Sequence, residues 1–260
     1  MELRKVFHRV LALKETITPA VLAGWGKIYT KSDNLLYFLD GAGTEHEVST
    51  IEHFYCEAYT YNNAIATVIE TANTPIALRV STPGLINGFT FSSGSTGAIT
   101  AFADGTGGTV LVTSAGHGLS NGDIITIRGT VNYNGVFEVF AVTTDTFKIT
   151  DVWVANDGAS DWDQPGHVKY NGIPTATFAT VGQITMAPVA ACKIIWKLYV
   201  NTTPQEKTTA EREYAINDLD VCSVSGLIQL STGDILWLSV ESDSTANITI
   251  KHGEFNAHRH

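Results

Sequence analysis

An all-β fold is predicted by three features of this 260-residue sequence. From residue 51 onward nearly every segment is a short run rich in Val, Ile, Thr, Phe and Tyr, closed off by Gly, Asn, Asp or Ser. Such runs are strands separated by turns, and their density is that of a sandwich or barrel. Helical periodicity is almost absent over the same stretch. Apolar residues make up 44% of the chain and charged ones only 16%, which predicts a packed core rather than a disordered chain.

The first 50 residues form a leader. Leu3, Val6, Val10, Leu13 and Ile17 recur in steps of three and four, as in a short coiled coil, while the β-branched Thr16, Ile17, Thr18 followed by Pro19 read equally well as a strand. Lys27 to Thr30 and Leu35 to Phe38, separated by Ser32-Asp33-Asn34, predict a hairpin. Beyond the leader, strands are expected at 64–70, 76–80, 86–91, 109–113, 123–128, 136–142, 145–150, 176–187, 193–200, 211–217, 226–230, 234–240 and 246–252. Within 234–240, Leu236, Leu238 and Val240 share one face and Ile235, Trp237 and Ser239 the other, so both faces are largely apolar. Either two layers of one chain enclose that strand, or another copy covers its second face.

Charge and cysteine usage narrow the partners. A formal charge of −10 argues against nucleic acid, whose affinity rests on Lys and Arg neutralising phosphates. The exception is the start, where Arg4, Lys5, Arg9 and Lys14 outnumber Glu2 and Glu15, which reads as a docking end or a solvated charged face. Cys56, Cys192 and Cys222 are widely and unevenly spaced, so free thiols and assembly in a reducing cytoplasm are expected. No run of 18 or more apolar residues occurs, and the start lacks a clear cleavage site, so neither membrane insertion nor classical secretion is expected.

Two parts of the chain resemble known families. Ala66 to Pro75 followed by Gly84 to Phe91, then Tyr170-Asn171-Gly172-Ile173-Pro174, Phe178, Lys193 to Asn201, Arg212 to Ile216, Leu230 to Asp234 and Asn247 to Ile250, resemble in order the strands of tumour-necrosis-factor-like jelly rolls in phage structural proteins. Between them, Ser114 to Asp123, Ile127-Arg128-Gly129, Asn132-Tyr133-Asn134-Gly135 and Thr144 to Phe147 are similar to a small β-barrel module recurrent in phage tail and fibre proteins. That module is commonly labelled after a catalytic-cysteine half-domain of ubiquitin-activating enzymes. The segment 92–167 holds no cysteine, so no activity follows from the label. The leader, with Gly26 to Asp33, Leu36 to Phe38 and Asp40 to Glu45, resembles N-terminal connectors of phage virion proteins.

These resemblances imply a jelly-roll β-sandwich with an inserted small barrel: a particle-docking connector at 1–50, the first part of the jelly roll at 51–91, the barrel at 92–167 and the second part at 168–260. They also imply a homotrimer with aromatic side chains along its axis, drawn from Tyr55, Tyr59, Trp196, Tyr199 and Trp237, with Tyr61 a further aromatic of the same pieces.

Other constellations were weighed for chemistry. Asn156, Asp157, Asp161 and Asp163 gather oxygen donors suited to calcium, or form a solvated acidic loop. Trp153 and Trp162 flank that cluster and, with Tyr133, offer flat faces to a sugar or close the barrel core. His252, His258 and His260 are metal-ligand types near the chain end. His117 is the most plausible base, yet no nucleophile, base and orienting group assemble around it.

The resulting expectation is a non-enzymatic, cofactor-free phage surface protein, assembled in the host cytoplasm and carried on the virion as a trimeric knob, fibre tip or capsid decoration. Its expected partners are sister chains, particle proteins met through residues 1–50, and a host glycan or receptor. A polysaccharide-degrading tail spike, which needs a spaced carboxylate pair, and a secreted adhesion or cytokine-like trimer are the competing readings.

Overall fold

The computed structural model describes residues 16–32, 36–47, 54–63, 66–172 and 175–259, with the side chains of Glu47 and Ala66 excepted. The chain divides into two units, Met1–His53 and Phe54–His260. The basic start and the rest of the ambiguous segment up to residue 15, and His260, lie outside the described residues; Thr16 to Pro19 form neither helix nor strand.

The first unit is a three-stranded antiparallel meander of β1 (Lys27–Thr30), β2 (Leu36–Leu39) and β3 (Glu45–Glu47). Glu45 ties it together by accepting hydrogen bonds from Thr18 (2.9 Å), Tyr29 and Lys31. The Lys31 ammonium, then the Tyr29 hydroxyl, hold its carboxyl down at about 2.

The second unit opens with β4 (Tyr55–Thr60), β5 (Ala66–Thr67), β6 (Ile76–Ala77), β7 (Thr82–Asn87) and β8 (Phe89–Ser92). Seven strands follow: β9 (Ser95–Ile99), β10 (Ala101–Asp104), β11 (Thr109–Thr113), β12 (Ile124–Arg128), β13 (Gly135–Glu138), β14 (Thr146–Thr150) and β15 (Ser160–Gln164). It closes with β16 (His167–Tyr170), β17 (Ala176–Pro188), β18 (Cys192–Val200), β19 (Thr203–Pro204), β20 (Ala210–Tyr214), β21 (Asp220–Leu230), β22 (Ile235–Ser242) and β23 (Ile248–Arg259). Every pairing is antiparallel, and a single 3₁₀ turn at Glu206–Thr208 is the helical content among the described residues.

The outer strands make two sheets. One runs β19-β18-β22-β16-β8, with β20 beside β18 and β6 beside β22; the other runs β21-β17-β23-β4-β7, with β5 beside β23. Strict alternation drives their packing: along β17 every second residue from Ala176 to Pro188 is buried. Phe178, Ile184, Ile228 and Phe255 of one sheet meet Trp196, Leu198, Leu236 and Leu238 of the other in one apolar core. Gly182 lets the sheets close, since a Cβ there would sit 3.0 Å from Val224 and 3.2 Å from Leu238. The molecule is thus an all-β sandwich.

The middle strands form a three-stranded sheet, β10-β11-β14, and a four-stranded one, β13-β12-β15-β9. They enclose a separate core of Phe102, Val112, Ile127, Tyr133, Phe147 and Trp162. The chain leaves the sandwich after Ser92 and returns at His167, and these two residues are paired partners of β8 and β16.

Several expected strands change length. The run 86–91 breaks at Gly88, whose φ of +75° turns the chain from β7 to β8 and whose missing Cβ leaves space for the Phe54 ring. The runs 226–230 and 246–252 extend to eleven and twelve residues, because pairing continues through polar residues such as Ser223, Asn256 and His258. Of 64–70 only Ala66–Thr67 pairs among the described residues, and of 76–80 only Ile76–Ala77. The strand Tyr55–Thr60, absent from the sequence reading, sits between β23 and β7.

The doubly apolar β22 has an intramolecular explanation. Its Leu236, Leu238 and Val240 face the sandwich core. Ile235 and Trp237 on the other face pack with Tyr199, Ala77 and, from the inserted strands, Ile124 and Val136. The inserted module, and not another copy, covers this face. Trp237 is fully buried, stacked on Tyr199 at 4.5 Å, and its indole N–H donates to the Asn201 carbonyl (2.8 Å). Truncation by Trp237→Ala is expected to cost about 3–5 kcal/mol, read as a lowered urea midpoint, whereas Val131→Ser at an exposed loop tip should move it by less than about 0.5 kcal/mol.

His167 is buried where the chain re-enters the sandwich, its Nδ1 2.9 Å from the Pro165 carbonyl. Burial depresses its pKa, opposed by that carbonyl and by Asp123. A folded-state value below the ordinary one means stability is complete above about pH 6.5 and is lost as pH falls below it. Urea unfolding between pH 7 and pH 5 should therefore show a decline that His167→Gln flattens.

Candidate functional site on the six-stranded sheet

The outer face of the β21-β17-β23-β4-β7 sheet is exposed, and antiparallel register arranges it in rows. Tyr55, His258, Ala179 and Leu227 form one row, and Glu57, Asn256, Val181 and Ser225 the next. Tyr59, Glu254, Gln183 and Ser223 follow, then His252, Thr185 and Val221, with the Tyr61 ring 4.8 Å from that of His252.

The face is chemically divided. On β17 and β21 the outward residues from Thr177 to Ala187 and from Val221 to Gln229 carry no charge. β21 is also an edge strand, uncharged from Val221 to Leu230. Val181, Val189, Ile216, Leu219, Val221 and Leu227, each between 40% and 61% exposed, lie along these two strands and the turns at their ends. The Asn217 N–H donates to the Pro188 carbonyl (2.8 Å), which draws the two turns together.

On β4 and β23 the face is polar and aromatic. Here a groove of about 300 Å³ is lined by Glu57, Tyr59, Tyr61, Gln183, His252 and Glu254, with Thr60, Thr185 and Gly253. No lysine or arginine lines it. Glu57 and Glu254 are diagonal neighbours across β4 and β23, with Cα atoms about 7–8 Å apart for such a pair. Gly84 gives the Glu57 carboxylate its room, since a Cβ there would lie against it. Among the described residues, the side chains of Glu57, Tyr59, Gln183 and Glu254 have no hydrogen-bond or ionic partner. His252 Nδ1 accepts the Asn62 N–H (3.2 Å), which puts the ring proton on Nε2.

A second polar cluster joins the inserted module to the sandwich. Asp163 on β15 accepts from Arg128 Nε (2.6 Å) and from Arg79 Nη2 (2.8 Å), while Arg128 Nη1 reaches Glu70 at 2.8 Å. Burial alone would depress the Arg128 guanidinium; its bond to Asp163 and the charges of Asp163, Glu70 and Asp161 outweigh that and raise it. A cavity of about 350 Å³ opens beside this network, lined by Asn63, Thr67, Val68, Leu78 and Arg79. Its two guanidiniums are already matched by carboxylates, so the cluster acts as a clamp.

The residues singled out by sequence are placed differently from expectation. Tyr133 and Trp162 are fully buried in the barrel core and present no face to a sugar. The Trp162 indole donates to Ser114 Oγ (2.9 Å), and the Tyr133 hydroxyl accepts the N–H groups of Val154 and Ala155 and donates to the Ala155 carbonyl. Trp153, half-buried, stacks on Tyr133. The calcium candidates do not converge: Asp163 is held by two arginines, Asp161 lies 3.8 Å from Arg128, and Asp157 accepts from Val131, Asn132 and the Asn132 amide. Asn156 Oδ1 caps Phe102 and Gly158. No group of three potential metal ligands occurs among the described residues.

The proposed axial aromatics also separate. Trp196, Tyr199 and Trp237 are buried within one chain, Trp196 edge-on to Tyr214, so they are unavailable to a sister subunit. Tyr55, Tyr59 and Tyr61 remain on the outer face, Tyr55 stacked on His258. His117 is pinned in its turn, with Nδ1 accepting the Leu119 N–H (3.0 Å) and its ring edge-on to Phe147. Cys56 and Cys192 are buried free thiols and Cys222 is half-buried; burial pushes Cys56 up to about 12.

Sequence reasoning missed Glu57, Gln183, His252 as a groove residue, and Glu254. The alternation Tyr55, Glu57, Tyr59, Tyr61 was a visible signal for one side of the groove; its pairing with residues nearly 200 positions away was not. Neither a protein-family model nor a curated protein matches the chain.

The clamp predicts an asymmetric cost. Asp163→Ala, which removes the acceptor of Arg128 Nε while Glu70 still holds Nη1, is expected to destabilise by about 1–3 kcal/mol. Arg79→Ala, whose side chain is half exposed, should cost under about 1 kcal/mol; urea denaturation of both variants measures the difference.

Proposed function

We propose that this chain is a non-enzymatic structural protein of a bacteriophage particle surface, assembled as a homotrimer through the β17–β21 half of the outer sheet face. The observation that carries this reading is the uncharged, partly apolar outer face of β17 and β21, with Val181, Val221 and Leu227 exposed on it. Edge strands of monomeric proteins are blunted by charge, proline or bulges, and contiguous exposed apolar surface marks an interface. From Val221 to Leu230 the strand itself has no charged residue, proline or bulge, in a chain whose net charge is −10; Arg212 reaches only its first carbonyl, at Val221, and Lys207 and Thr208 lie near Gly226.

The strand orders support the jelly-roll part of the reading. Taking β4, β16, β17, β18, β20, β21, β22 and β23 as eight successive strands A to H, one sheet reads A-H-C-F and the other B-G-D-E, the order of a tumour-necrosis-factor-like jelly roll. The barrel enters between the paired strands β8 and β16. Ile17, Val21, Leu22, Trp25 and Ile28 of the first unit are more than half exposed, which suits a connector that attaches to another particle protein.

Light scattering on the full chain is expected to return three times the 28.0 kDa chain mass, and Leu227→Arg to shift it to the single-chain value with the far-ultraviolet circular dichroism of β-structure retained. A wild-type protein that scatters as a monomer removes the proposal.

A further inference from the structure

We draw no further inference here: the strongest candidate, the cavity of about 350 Å³ between the inserted module and the sandwich, lined by Thr60, Leu78, Arg79, Arg128 and Asp163, carries nothing, because its two guanidiniums already serve the ion-pair cluster described above and nothing in the structure shows what would fill it.

Discussion

The burial of β22 on both faces is the constraint from which the second unit follows. One face completes the sandwich core through Leu236, Leu238 and Val240, and the other is closed by the underside of the inserted barrel through Ile124 and Val136. An inserted module on flexible borders would otherwise be free to pivot. Here Ile124 and Val136 against Tyr199 and Trp237, and the ion pairs Arg79–Asp163 and Arg128–Glu70, hold it at two chemically different points, one apolar and one ionic. The apolar contact supplies energy that salt does not screen; the ionic one adds direction.

That arrangement leaves the outer face of the other sheet exposed. Its two halves differ in kind although they share strands and register. The β17–β21 half is neutral and apolar at its margin, and the β4–β23 half is aromatic and acidic.

The fold class was legible because period-two alternation and turn residues are local properties. Val110 and Val112, or Phe178 and Ile184, declare their buried face within a few positions. Strand ends were less legible: β21 and β23 run on through serines, asparagine and histidine whose place in a ladder is set by partners far along the chain. The candidate site suffered most from this distance. Trp162 and Tyr133 look like ligand platforms beside a polar loop, yet three-dimensional closure turns them inward, and Trp237 reads as an interface residue until the covering strands are found in the same chain. Glu57 and Glu254 are unremarkable in sequence, and only the β4–β23 pairing makes them neighbours.

The pairing of Ser92 with His167 has an evolutionary consequence. The excursion begins and ends one strand spacing apart, about 5 Å, so the host sandwich experiences it as no more than a long hairpin loop. Any replacement whose two ends lie that close, and whose base offers a greasy patch to shelter the Trp237 indole, would graft at this position without disturbing the register of the host sheets. The chassis can therefore stay fixed while the cargo it displays is exchanged.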